Sequence, residues 1–256
     1  MTNGGPAVTR DPNARPILEA RGLAKSFGGI VAVRGVSFAV AEGEILGIAG
    51  PNGSGKSTLF NIITNVPFAA DGGETLFRGA NIRHWPGHRI ARDGLARTFQ
   101  RESVFAGLSA IDNVMVAVEA RGGGGDLKTR ERVAGEALDI AGYPATMHNM
   151  IAGALPVFYR KLVMVAAAIA LKPVLLLLDE PASSLTPPEI ERIRKLILKL
   201  RKSGMTILLI EHVLSLLTSV SDRLMVLDQG SVIAEGTPSQ VIANPRVVEA
   251  YLGGSA

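Results

Sequence analysis

The chain has 256 residues, 47% of them apolar and 20% charged, so it can bury a sizeable core as one large domain or a domain with a modest second lobe. Cysteine is absent, which excludes a disulfide framework. The net charge of +4 comes from 27 basic and 23 acidic residues, scattered and without interleaved aromatics, so nucleic acid is not expected as a partner and a polyphosphate ligand would account for the balance.

Residues Met1 to Pro16 hold Gly, Pro, Asn and single charges with no apolar run, and are expected to form a disordered tail rather than a signal peptide. From Ile17 to Val40 the pattern predicts short strands around a turn at Gly28-Gly29. Val36, Phe38 and Val40 alternate there with Ser37 and Ala39, the period of a half-buried strand. Glu42-Gly43 makes a turn, Ile45 to Ala49 a short apolar strand, and Gly50 opens a glycine-rich loop. A helix follows from about Lys56 to Ile63. Asp71-Gly72-Gly73 reads as a turn into a strand from Glu74 to Phe77.

Ser109 to Glu119 predicts a helix with Ser109 as N-cap and Asp112 in its first turn. The run Gly122 to Gly125 is a surface loop, and helical patterns continue from Lys128 to Ile140 and from Arg160 to Leu171. Residues from about 90 to 165 therefore read as an all-helical lobe inserted in an α/β domain. Val174 to Leu178 has the continuous apolar character of a buried parallel strand. Pro188 to Lys202 is an amphipathic helix, read as covering a sheet, and Met205 to Ile210 another buried strand. Arg223 to Leu227 and Ser231 to Ala234 flank the hairpin signal Asp228-Gln229-Gly230. Strands alternating with helices argue for a mainly parallel sheet. The most apolar stretch, Leu162 to Leu178, is broken by Lys172 and Pro173 and is too short on either side to span a bilayer. A membrane role has to come through partners.

Two segments carry chemistry. Gly50-Pro51-Asn52-Gly53-Ser54-Gly55-Lys56-Ser57-Thr58 fits the phosphate-loop pattern at every required position. Its glycines let backbone N–H groups turn toward phosphate oxygens, Lys56 is placed to reach the β- and γ-phosphates, and the Ser57 hydroxyl to ligate Mg²⁺. Leu175 to Leu178 delivers Asp179 and Glu180 to the C-terminal end of a strand, where ligands sit in open α/β sheets. Asp179 can hold Mg²⁺ through water, and Glu180 can polarise the attacking water.

In these motifs, residues 17 to 256 resemble the ATP-binding cassette family. The resemblance implies a P-loop NTPase α/β core with an antiparallel β lobe and an inserted helical lobe, ATP and Mg²⁺ as ligands, and ATPase activity. It makes Phe27, in Lys25-Ser26-Phe27-Gly28-Gly29, the adenine-stacking aromatic. Gln100, in Ala96-Arg97-Thr98-Phe99-Gln100, is similar to the glutamine that contacts Mg²⁺ and links the lobes, and His212 to the histidine that contacts the γ-phosphate. Gly94 to Gln100, Leu155-Pro156, and the tail segments Val226 to Gly230, Glu235 to Pro238 and Ala250 to Gly253 look most like the ATPases of branched-chain amino acid importers. A head-to-tail pair with a second ATPase, as a heterodimer, is then expected, with separate permease subunits and a solute-binding protein reached through them, on the cytoplasmic face of the plasma membrane. Related importers carry urea or short amides, and a low-turnover regulatory subunit is the other alternative.

Two departures stand out. The signature segment, usually Leu-Ser-Gly-Gly-Gln, reads Leu155-Pro156-Val157-Phe158-Tyr159, and Phe158 is expected to hold that helix end away from a partner's nucleotide. After Glu180, Ser183-Ser184-Leu185-Thr186 puts threonine where the family usually has Asp or Asn.

Overall fold

The structure, a computed structural model, describes residues 16–99, 103–122 and 125–252. Residues 1–15 of the expected tail and Gln100 lie outside the described residues.

Two antiparallel strands open the fold, β1 (Leu18–Phe27) and β2 (Ile30–Val40), turning at Gly28-Gly29. With β4 (Gly72–Phe77) and β5 (Ala80–Asn81) they form a four-stranded antiparallel sheet in the order β2-β1-β4-β5. Gly72 and Gly73 belong to β4 rather than to a turn before it: Gly72 pairs with Ala24 of β1, and Gly73 sits at the register shift that follows.

A second sheet has six strands in the order β10-β9-β3-β8-β7-β6. Here β3 is Ile45–Ala49, β6 Leu95–Arg97, β7 Leu175–Asp179, β8 Thr206–Ile210, β9 Arg223–Asp228 and β10 Ser231–Gly236. All neighbours are parallel except the edge hairpin β9-β10. Every residue of β3, β7 and β8 is buried. These runs are continuous rather than alternating because both faces of the sheet are covered. Leu175 and Leu177 point to one apolar cluster, shared with the antiparallel sheet and helix α1 (Lys56–Thr64). Leu176 and Leu178 point to the other, beneath the remaining helices.

After α2 (Gly87–Arg92) the chain enters β6, which pairs in parallel with β7. Leu95–Arg97 is thus sheet, not part of an all-helical lobe; three residues are too few for a period of two to declare itself. The lobe proper holds α3 (Ala110–Ala120), α4 (Leu127–Ala141) and α5 (Val157–Ala170), packed on one another. Ser109 caps α3 by accepting from the Asp112 N–H at 3.2 Å. Helix α5 starts three residues before the expected Arg160. Phe158 is already one of its buried residues, at 3% exposure.

Helix α6 (Pro187–Lys202) buries Ile193, Leu196, Ile197 and Leu200 as its spacing requires. Thr186 is its N-cap: Glu189 Oε2 accepts from the Thr186 N–H at 2.8 Å and from its hydroxyl at 2.7 Å. Threonine here does the local work that Asp or Asn does at a cap. Helices α7 (Leu214–Val220), α8 (Pro238–Ile242) and α9 (Pro245–Leu252) complete the chain. Among the described residues no helix is long and apolar enough to cross a membrane.

Candidate nucleotide site

The loop between β3 and α1 wraps a cleft of about 230 Å³, lined by residues 52–58, Ala32 and Glu180. Its backbone admits only glycine at two points. Gly50 has φ +148°, and a Cβ there would lie 2.1 Å from the Leu227 carbonyl oxygen. Gly55 has φ +100°, and its Cβ would lie 2.4 Å from that of Ala32. Asn52 and Gly53 are exposed at the rim, Ser54 is buried, and Ser57 and Thr58 are half-buried at the start of α1. That helix has no acidic residue in its first turn, so its N-terminal potential faces the cleft undiminished.

Lys56 is buried and curls back over its own loop. Its Nζ donates to the carbonyl oxygens of Gly50 and Pro51, each at 2.8 Å. Burial lowers its pKa, against the opposing pull of Glu180 and Asp179. The ammonium thus sits on neutral acceptors that an anion would outcompete.

Asp179 ends β7, 2% exposed. Arg97 Nη2 donates to its Oδ2 at 2.7 Å, while Arg97 Nη1 donates to Asn61 Oδ1 at 2.8 Å. The sequence reading missed Arg97, which binds β6, β7 and α1 together beneath the cleft. Burial pushes the Asp179 carboxyl upward, with Arg97 opposing it. The second carboxylate oxygen, Oδ1, is buried without a hydrogen-bond partner. An orphaned anionic oxygen beside a phosphate loop fits a divalent cation or its water.

Glu180 follows in the left-handed region, φ +48°, a strained state for a non-glycine residue. Three ties hold it. Its N–H donates to the Ile210 carbonyl at 2.9 Å, its carbonyl accepts from Lys161 Nζ at 3.0 Å, and Ser183 Oγ donates to that carbonyl at 3.1 Å. Lys161, a buried lysine of α5, also donates to Ser183 Oγ at 2.9 Å, so the helical lobe is bolted to the Glu180 turn.

His212 follows β8 and is half exposed, its Nδ1 3.9 Å from Glu180 Oε2. The residue before it, Glu211, is fully buried and accepts from the Ala182 N–H at 2.5 Å and the His212 N–H at 3.2 Å. One side chain thereby joins the Glu180 and His212 turns. It lies 29 residues from Ala182 in sequence, where no spacing rule reaches.

Phe27 closes β1 at 43% exposure, its ring edge-on to Phe68 at 5.0 Å between centroids. It does not line the phosphate cleft. It lies on the same β1–β2 hairpin as Ala32, and the Lys25 ammonium sits over its ring, 5.4 Å from the centroid.

The signature segment departs from expectation. The Phe158 ring turns inward, under the Arg192 guanidinium at 4.4 Å and against Tyr159 at 5.4 Å. It does not stand between the α5 N-terminus and a partner. Burial explains the inversion, since a phenyl ring gains more from the core than from the surface. What faces outward is Pro156, exposed and without the serine hydroxyl.

Beside the helical lobe, a groove of about 260 Å³ is lined by Val104, Phe105, Val116, Val163, Met164 and Leu171, among others. Phe105 is 56% exposed, and Asn113 fixes its backbone by donating to its carbonyl at 3.1 Å and accepting from its N–H at 2.7 Å.

Comparison with known proteins agrees with this geometry. The family model for the ABC transporter matches residues 33–183, and that for the branched-chain amino acid ATP-binding cassette transporter matches residues 231–256. The high-affinity branched-chain amino acid transport ATP-binding protein BraF of Pseudomonas aeruginosa is 39% identical over 253 residues, 94% of this chain and 99% of the relative. LivG of Escherichia coli, named for the same transport, is 38% identical over equal shares. An ATP-binding cassette in its ADP conformation superposes with a TM-score of 0.82 at 29% identity, covering 94% of this chain and all of that one. A phosphate loop, its buried strand-end aspartate and these matches lead to one conclusion: the chain belongs to the ABC transporter family of ATPases.

Proposed function

We propose that this chain hydrolyses ATP to drive uptake of branched-chain or other hydrophobic amino acids. The observation that carries this reading is one chain joining a complete phosphate cleft to a tail, residues 231–256, that matches the branched-chain amino acid cassette family. The relatives BraF and LivG, named for that transport, support the solute class.

In this reading ATP enters as its phosphates replace the carbonyls now held by Lys56, and the backbone of residues 52–58 cradles them. Phe27 stacks on adenine. Mg²⁺, when bound, would neutralise charge on the phosphates. Ser57, Gln100 and Asp179 would hold it, Asp179 through the oxygen that Arg97 leaves free. Glu180 orients and polarises the attacking water, and His212, beside it, contacts the γ-phosphate. The strained Glu180 turn is held by Lys161 and joined to the His212 turn by Glu211, so its carboxylate needs little reorganisation.

The partner is a second cassette in a head-to-tail pair; a cassette of known structure at 26% identity is dimeric and bound to ADP and Pi, which supports a pair. Pro156 offers no hydroxyl and Tyr159 no amide, so a different chain with a complete signature serves the ATP held by Lys56. The groove at Phe105 receives a permease helix at the cytoplasmic face of the membrane, and the permease in turn meets a solute-binding protein. Uptake of radiolabelled leucine by the complex in ATP-loaded vesicles tests the reading. Uptake should require ATP and stop with Glu180→Gln; ATP-dependent movement of urea but not of leucine would overturn the solute class.

A further inference from the structure

Residues 231–256 match the family tail, yet none of the site roles above uses the end of the chain. There, Tyr251 reaches back 201 residues: its hydroxyl oxygen accepts from the Gly50 N–H at 2.8 Å. The contact is half-buried, and burial pushes the phenol's pKa up, so it stays protonated. Helix α9 is seated for this reach by Val247, which is buried in the core. Tyr251 and Leu252 line an apolar cleft with Leu214, two residues after His212.

Gly50 is gripped at three points. Tyr251 takes its N–H, Lys56 donates to its carbonyl at 2.8 Å, and the Leu227 carbonyl sits where a Cβ would go. When Lys56 moves to a phosphate, one of the three is released. The tyrosine is then the remaining hydrogen bond on the root of the loop.

We propose that Tyr251 is a positioning residue for the nucleotide, fixing the first peptide of the phosphate loop so that the cradle keeps its shape once Lys56 has left it. The C-terminal helix thereby becomes part of the ATP site without touching ATP. This rests on reading residues 50–58 as the phosphate cradle.

The test is calorimetric binding of Mg²⁺ and the non-hydrolysable analogue AMP-PNP to the full chain, with amide exchange over residues 45–56. Tyr251→Phe keeps the ring and removes the acceptor. It should raise Kd about fivefold, the scale of one net hydrogen bond, and speed amide exchange in the nucleotide-loaded protein. In the transport complex the same variant should raise the KM for ATP and leave kcat near the parental value. Tyr251→His, which keeps a ring with an acceptor nitrogen, should fall between the two. Leu252→Ala, at the exposed end of the same helix, should keep the parental Kd. A parental chain that binds the analogue while Tyr251→Phe binds it equally well would overturn the proposal and leave the ATP site standing. A lowered melting temperature with unchanged Kd would reduce Tyr251 to a structural anchor and overturn it too.

Discussion

The two faces that a cassette brings to ATP differ sharply in this chain. The phosphate face is built from buried, mutually tied groups: Lys56 on its own loop, Asp179 on Arg97, and Glu180 held by Lys161 and joined through Glu211 to His212. The signature face keeps its helix but not its chemistry, with Pro156 exposed, Phe158 turned into the core and Tyr159 half-buried. A site that must hold charge is constrained by every neighbour. A face that contacts a partner only through its rim can trade residues as long as the helix beneath stays packed. Electrostatic demands are thus met on one face, and packing demands have overwritten the other.

That contrast can be broken most severely at the phosphate face. Glu180→Gln should leave ATP affinity at the parental value and cut turnover by about 10² or more, the scale of losing a positioned base. Lys56→Ala should instead lose much of the ATP affinity itself. Equilibrium binding with steady-state phosphate release separates the two, and parental turnover by Glu180→Gln would remove Glu180 from its role.

At the signature face the expected effect is on folding. Phe158→Ala should destabilise the chain by about 3–5 kcal/mol in denaturant unfolding, because it empties a filled core position. A rise in hydrolysis with unchanged stability would mean that the ring does stand in the partner's way. Phe105→Glu should release the chain from permease-containing membranes while melting at the parental temperature, since this side chain is mostly exposed. A collapse of the fold would place it in the lobe's core instead.

The smallest effect concerns Glu211, whose pKa burial raises. A carboxyl with a folded pKa above its unfolded value contributes stability below the unfolded value and loses it as pH rises through the folded one. Glu211→Gln should therefore gain stability relative to the parent on the alkaline side of the carboxylate range, in melting curves against pH. An unchanged difference across pH would show the group to be unshifted.

Much of this was readable in the sequence where the signal is local. Residues 50–58 carry their own turn chemistry, the apolar runs at 45–49, 175–178 and 206–210 mark buried strands, and Ser109 announces its helix. What escaped is what only folding brings together. Arg97 meets Asp179 across 82 residues, and Tyr251 meets Gly50 across 201. Phe158 escaped for another reason: a position in a motif says which residue is there, while the core decides which way its side chain turns. β6 was absorbed into a helical reading because three residues carry no period.

The central claim is that a complete phosphate face here depends on a signature face supplied by another chain. Phosphate release by the purified chain, alone and mixed with a cassette carrying an intact Leu-Ser-Gly-Gly-Gln segment, tests it most directly. The account predicts little turnover alone, and a rise on mixing that disappears when Lys56→Ala is introduced here. Vigorous turnover by the isolated chain, unaltered by the partner, would contradict it.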